Sequence, residues 1–121
     1  MTRQHRGTMS HYAGVAAEDR VAQLYQFRGF QILQRRWRGQ AGEIDLILQH
    51  RARVVFVEVK AARDLCMAAQ RITRRQLLRI AAAAEEFLGC CPDGQLTEMQ
   101  IDVALVSRTG KCEILENAYF A

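Results

Sequence analysis

A chain of 121 residues, half of them hydrophobic and a quarter charged, is long enough for one domain with a modest core and too short for two. Its net charge of +4, dominated on the basic side by arginine, favours a phosphate-bearing partner such as nucleic acid without requiring one. No apolar run approaches the roughly 18 residues of a membrane span, and the four cysteines (Cys66, Cys90, Cys91, Cys112) lack the paired spacing of a zinc site, so they read as reduced thiols and the expected location is cytoplasmic.

Residues 1–9 are polar and basic with no apolar middle, which excludes a secretory signal and reads as a disordered leader before a single domain over residues 10–121. Ser10 can cap a first helix that runs to about Arg28, with Gly29 as its stop. Ala17, Val21, Leu24 and Tyr25 recur at helical spacing on its core face. Residues 30–37 alternate as a strand, and Gly39 and Gly42 bracket a turn. Residues 43–49 and 53–60, rich in Ile, Leu and Val, predict two more strands joined by a short reversal. A second helix is expected over residues 67–88, with Leu77, Ile80, Ala81, Ala84, Phe87 and Leu88 on its apolar face and Gly89 ending it. After the turn at Cys91-Pro92-Asp93-Gly94, Met99, Ile101, Val103 and Leu105 alternate on a fourth strand, and Arg108-Thr109-Gly110 leads into a short fifth strand over residues 112–115. The order is helix, three-strand meander, helix, two strands. The second helix is long enough to cross over to a parallel strand, which gives an α/β domain with a mixed sheet flanked by helices.

The chemistry concentrates in Glu43-Ile44-Asp45-Leu46-Ile47-Leu48 and Val54-Val55-Phe56-Val57-Glu58-Val59-Lys60. Side chains alternate faces along a strand, so Val54, Phe56, Glu58 and Lys60 share one face and Val55, Val57 and Val59 the other. A tight hairpin with Arg51 and Ala52 at its tip pairs His50 with Arg53, and this register brings Asp45 opposite Glu58. Two carboxylates about 5 Å apart on one face repel by about 3 kcal/mol at an effective dielectric of 20. A divalent cation, Lys60 or a retained proton must offset this. A pair of this kind with a nearby lysine can hold Mg²⁺ or Mn²⁺ and a phosphate oxygen; the same spacing also fits a cross-strand ion-pair cluster at a sheet edge. Glu18 borders the apolar stripe of the first helix, from which it can approach the pair. Arg71, Arg74, Arg75 and Arg79 crowd the first half of the second helix as like-charged neighbours, a repulsion that a nucleic-acid backbone would relieve and that a solvated basic face would tolerate. Trp37, flanked by Arg35, Arg36 and Arg38, reads as a packing residue.

Several segments together resemble the YraN family of small bacterial proteins: Gly14-x-x-x-Glu18, Gly42-Glu43-Ile44-Asp45-Leu46-Ile47, Val55-Phe56-Val57-Glu58-Val59-Lys60, Ile101-Asp102-Val103 and the terminal Glu116-Asn117-Ala118-Tyr119-Phe120. They span nearly the whole chain. The resemblance implies a Holliday-junction-resolvase-like, restriction-endonuclease-like fold. It implies a PD-(D/E)xK nuclease site with Asp45, Glu58 and Lys60 in the motif positions and Glu18 as the helix acid. Nucleic acid, chiefly DNA, is the implied partner, Mg²⁺ or Mn²⁺ the implied cofactor, and a homodimer an implied assembly. Three polar places depart from the family pattern: Ala62 stands where an arginine is usual, Gln100 where an arginine precedes the fourth-strand Asp102, and Arg35-Arg36-Trp37 where an asparagine often precedes the Gly-Glu motif.

Overall fold

The computed structural model of the protein describes residues 3–120, and side chains from residue 14 onward except those of 95 and 120. Three helices, α1 (Arg3–Phe27), α2 (Leu65–Gln70) and α3 (Arg74–Leu88), pack on the strands β1 (Gln31–Arg38), β2 (Glu43–His50), β3 (Arg53–Ala61), β4 (Met99–Val106) and β5 (Cys112–Leu115). The five strands form one open sheet in the order β1-β2-β3-β4-β5. The first three are an antiparallel meander, β3 and β4 are parallel, and β4 and β5 are antiparallel. This is the mixed α/β arrangement expected from the element order. The first helix starts at Arg3, ahead of the expected Ser10 cap and within the expected leader, whose residues 1 and 2 lie outside the described residues.

Each sheet face carries its own core. On one, Ala17, Val21, Ala22 and Tyr25 of α1 pack against Leu46, Leu48, Val55, Val57, Ala104 and Val106. On the other, α2 and α3 pack on Ile47, Phe56, Ile101, Val103 and Leu105. A sheet covered on both sides needs central strands that are apolar in both parities, which explains the unbroken run Val54-Val55-Phe56-Val57. A buried polar contact joins the first layer to the sheet: Tyr25 donates its hydroxyl to Asp102 at 2.7 Å. The other Asp102 oxygen accepts from Gln100 Nε2 at 2.8 Å and from the Asn117 N–H at 2.9 Å.

The single helix expected over residues 67–88 is in fact two. Thr73 begins a new helix: its hydroxyl accepts the Gln76 N–H at 3.1 Å, and the Gln76 side chain accepts the Thr73 N–H at 3.0 Å. This reciprocal cap satisfies two amide donors that helix geometry leaves unpaired and fixes a boundary that apolar spacing does not reveal. Asp64 caps α2 by accepting the Met67 N–H at 2.8 Å. Arg71 closes α2, so it and Arg75 are not neighbours on one helix; within α3 the like-charged i,i+4 pair is Arg75 and Arg79.

Candidate active site

The hairpin register from His50↔Arg53 to Leu46↔Val57 is the one expected, but there the ladder between β2 and β3 stops, so Asp45 and Glu58, expected opposite each other, are not a ladder pair. Ile44 lies in the core beneath α3, whereas Leu46 lies in the core beneath α1. Residues two apart in a regular strand share a face, so β2 must turn about its own axis at Asp45. Arg36, on the neighbouring strand between the pairs Arg35↔Leu46 and Trp37↔Ile44, has a positive φ of 52°. Past the break, side chains replace the missing ladder partners. Asp45 Oδ2 accepts the Val59 N–H at 2.8 Å, and Arg79 Nη1 donates to the Glu43 carbonyl at 3.0 Å.

Where the strands part, Glu18, Asp45, Glu58 and Lys60 line one cleft of about 380 Å³. The structure thus brings together all four residues singled out for catalysis. Glu58 is buried. Burial, then the charge of Asp45 and a hydrogen bond shared with it, push the Glu58 carboxyl up to about 8, against the opposing pull of Lys60 and Arg79. Lys60 Nζ lies 3.9 Å from one Glu58 oxygen and Arg79 Nη2 3.4 Å from the other. Glu18 is held at the rim by Arg36 Nε at 2.9 Å, while Arg35 pairs with the adjacent Asp19. These two ion pairs fasten α1 to β1 beside the cleft.

The four arginines expected to contact phosphate make separate contacts within the protein. Arg71 lines the acidic cleft and donates to the Ala61 carbonyl at 2.8 Å. Arg74 donates to the Tyr119 carbonyl at 2.9 Å and lies over the Tyr119 ring, 4.9 Å from its centre. Arg79 turns inward to Glu58, and Arg75 remains exposed. Trp37 packs edge-on against Phe87 at 5.5 Å, as a core residue. Reasoning from the sequence missed Arg36 as the partner of Glu18 and Arg79 as a partner of Glu58. The signal available for the second was Gly42. Its φ is +143°, and a Cβ there would stand 2.5 Å from Arg79 Nη1, so a glycine before Glu43 lets a guanidinium pass over the backbone.

The profile of the family described as "Uncharacterised protein family UPF0102" matches residues 17–106, a span that holds Glu18, Asp45, Glu58 and Lys60. The chain belongs to the UPF0102 family. YraN is another name for the same family, so the resemblance read from the motifs holds at the level of family. A UPF0102 protein of Ruegeria pomeroyi is 55% identical over 114 residues, covering 94% of this chain and 93% of that one. One from Cereibacter sphaeroides is 50% identical over 115 residues, covering 95% and 98%. One from Roseobacter denitrificans is 48% identical over 116 residues, covering 96% and 90%. The UPF0102 chain thus matches these relatives over nearly their full lengths.

Among the described residues no helix is long and apolar enough to cross a membrane. No set of three His, Cys, Asp or Glu side chains converges on one metal position among them. A roomier cleft of about 510 Å³ near the hairpin tip includes Asp102, but that carboxylate is engaged through both oxygens and reads as a structural group.

Proposed function

We propose that this protein is a metal-dependent nuclease of the PD-(D/E)xK type on a restriction-endonuclease-like domain, acting on phosphodiester bonds of nucleic acid, with DNA, branched or damaged, as the substrate class. The observation that carries the reading is the meeting of Asp45, Glu58 and Lys60 in one cleft where β2 and β3 separate. Asp45 and Glu58 would hold Mg²⁺ or Mn²⁺. The donor set fits: two adjacent carboxylates are hard oxygen ligands, and their mutual repulsion is what a divalent cation relieves. Mg²⁺ needs only one or two carboxylates when waters and substrate phosphates complete its shell. When bound, such an ion supplies charge for the phosphoryl group and lowers the pKa of water.

The protein's own groups would do the rest. The Val59 N–H fixes Asp45 in orientation. Arg79 and Lys60 hold Glu58 from its two oxygens, so its position is set before any ligand arrives. Lys60, whose ammonium lies 3.9 Å from Glu58, would turn from it to donate to a phosphate oxygen or to an attacking water. Glu18, at the rim, can accept a proton or leave the cleft open, depending on whether it keeps Arg36.

A second reading, a nucleic-acid-binding module of the same fold with little or no cleavage, is favoured by the engagement of Glu18 with Arg36 and of Glu58 with two cations. A cleavage panel separates the two: single-stranded, duplex and branched DNA, each with Mg²⁺ or Mn²⁺, for the wild type and Asp45→Ala. Metal-dependent cleavage lost in the variant supports the nuclease. Binding without cleavage on every substrate supports the module.

A further inference from the structure

We propose that an arginine-lined groove continuing from the acidic cleft is the seat of one nucleic-acid strand, with Arg20, Arg71 and Arg108 holding phosphates that flank the one at Asp45 and Glu58. The inference rests on the reading of this protein as acting on nucleic acid. The groove, about 620 Å³ in volume, shares Ala17, Ala61 and Arg71 with the acidic cleft, so the two are one continuous depression. Its charge is opposite: three arginines line it and no carboxylate does. The arginines come from three separate places, α1, the end of α2 and the turn between β4 and β5, and all three are exposed.

Most of the arginines nearest the acidic cleft are engaged by a carboxyl group. Arg35, Arg36, Arg38 and Arg79 pair with Asp19, Glu18, Glu43 and Glu58. Arg20, Arg71 and Arg108 belong to no ion pair among the described residues. Arg20 Nε donates to the Gly110 carbonyl at 3.3 Å and Arg71 Nη1 to the Ala61 carbonyl at 2.8 Å. Each guanidinium has five N–H donors, so one bond to a carbonyl anchors it and leaves the rest for a ligand. The floor between them is Ala16, Ala17, Ala61, Ala62 and Gly110. Small side chains let a sugar–phosphate chain lie close to the protein backbone. Alternating acidic and basic ends suit a strand whose reacting phosphate needs a cation and whose neighbouring phosphates need guanidinium groups.

Fluorescence anisotropy with labelled single-stranded and duplex DNA, between about 50 and 200 mM salt, tests this. Three proteins are compared: wild type, Arg20→Gln/Arg108→Gln, and a control of equal charge change at the hairpin tip, Arg51→Gln/Arg53→Gln. The groove variant is expected to bind at least about tenfold more weakly than the control. Its log–log salt slope should shrink by about 0.7–0.9 for each phosphate contact removed. Circular dichroism checks the fold, and Arg108→Gln alone, whose side chain has no bonded partner among the described residues, is the second variant should the double one fail to fold. Equal losses in groove and control variants overturn the groove while leaving the nuclease reading to the cleavage panel. A selective groove loss in a protein that cleaves nothing upholds the groove and removes the nuclease. Absence of binding by the wild type at low salt overturns both.

Discussion

The carboxylate of Asp45 stands in for a backbone carbonyl, accepting the Val59 N–H at 2.8 Å just where the ladder between β2 and β3 has ended. One oxygen therefore maintains the strand pairing while the carboxylate also faces the cleft beside Glu58. Structure and candidate chemistry share a residue, and substitutions have to be chosen with that in mind.

Asp45→Asn keeps an oxygen for the Val59 N–H, whereas Asp45→Ala leaves that donor short of a partner. The alanine variant should be less stable than the asparagine one by about 1–2 kcal/mol, read from urea unfolding. In calorimetric titrations with DNA present, both variants, and Asp45→Ala/Glu58→Ala, should lose the Mn²⁺ binding expected of the wild type. Equal affinity in the wild type and the double variant would make the acids purely structural. Wild-type affinity should rise as pH approaches about 8, because Glu58 must shed its proton to bind metal.

Stability should fall as pH rises. The folded state holds the Glu58 proton up to about 8, whereas the unfolded chain releases it near the ordinary value of 4.5. Between those values the native state binds more protons, so the slope of unfolding free energy against pH is negative. The stabilisation is complete below the lower value and lost through the upper one. Glu58→Gln should flatten this dependence and exceed the wild type at pH 8 by up to about 4 kcal/mol, at about 1.4 kcal/mol for each pKa unit between the two values. Thermal melts across the range, without divalent metal, would show it. An unchanged slope in the variant would assign the titration elsewhere.

Gly42→Ala should destabilise the protein by roughly 1–3 kcal/mol, since a Cβ at φ +143° is strained and would meet Arg79. The same change should dislodge Arg79 from the Glu43 carbonyl and Glu58. Pairing the denaturation measurement with Arg79→Ala tests the link. If the two substitutions share Arg79 as their cause, the double variant should cost less than the sum of the singles.

Tyr25→Phe removes the only hydrogen-bond donor that the described residues supply to Asp102 Oδ2, on a carboxylate that is 2% exposed. The expected loss is about 1.5–3 kcal/mol, with an unchanged denaturant slope. A loss below about 0.5 kcal/mol would mean water replaces the hydroxyl.

The meander and its register were legible because three sequence features agree there: apolar β-rich runs, a short reversal, and Glu58 and Lys60 on a face begun by Val54 and Phe56. The same features singled out Asp45, Glu58 and Lys60, which the structure places in one cleft. The break between α2 and α3 was hidden because apolar spacing runs through it, while Thr73 and Gln76 look like ordinary polar residues until they cap each other. The separate placement of the arginines was hidden for a related reason. Closeness in the chain linked Arg71, Arg74, Arg75 and Arg79, but Arg74 is drawn to Tyr119 and Arg79 to Glu58. Arg20, Arg71 and Arg108 meet only through tertiary packing, for which no local pattern exists.

The parallel pairing of β3 with β4 joins segments separated by the whole of α2 and α3. A chain emerging from the ribosome can close the β1–β2–β3 meander at once, but the far edge of β3 then waits for β4. At about 5–20 residues per second the wait is a few seconds. Through that interval Val54-Val55-Phe56-Val57 presents bare amide and carbonyl groups along an apolar strand, the kind of edge that templates association with another chain. The strand that bears Glu58 and Lys60 is therefore the nascent protein's main aggregation hazard. Chains truncated before residue 99 should be insoluble rather than merely inactive.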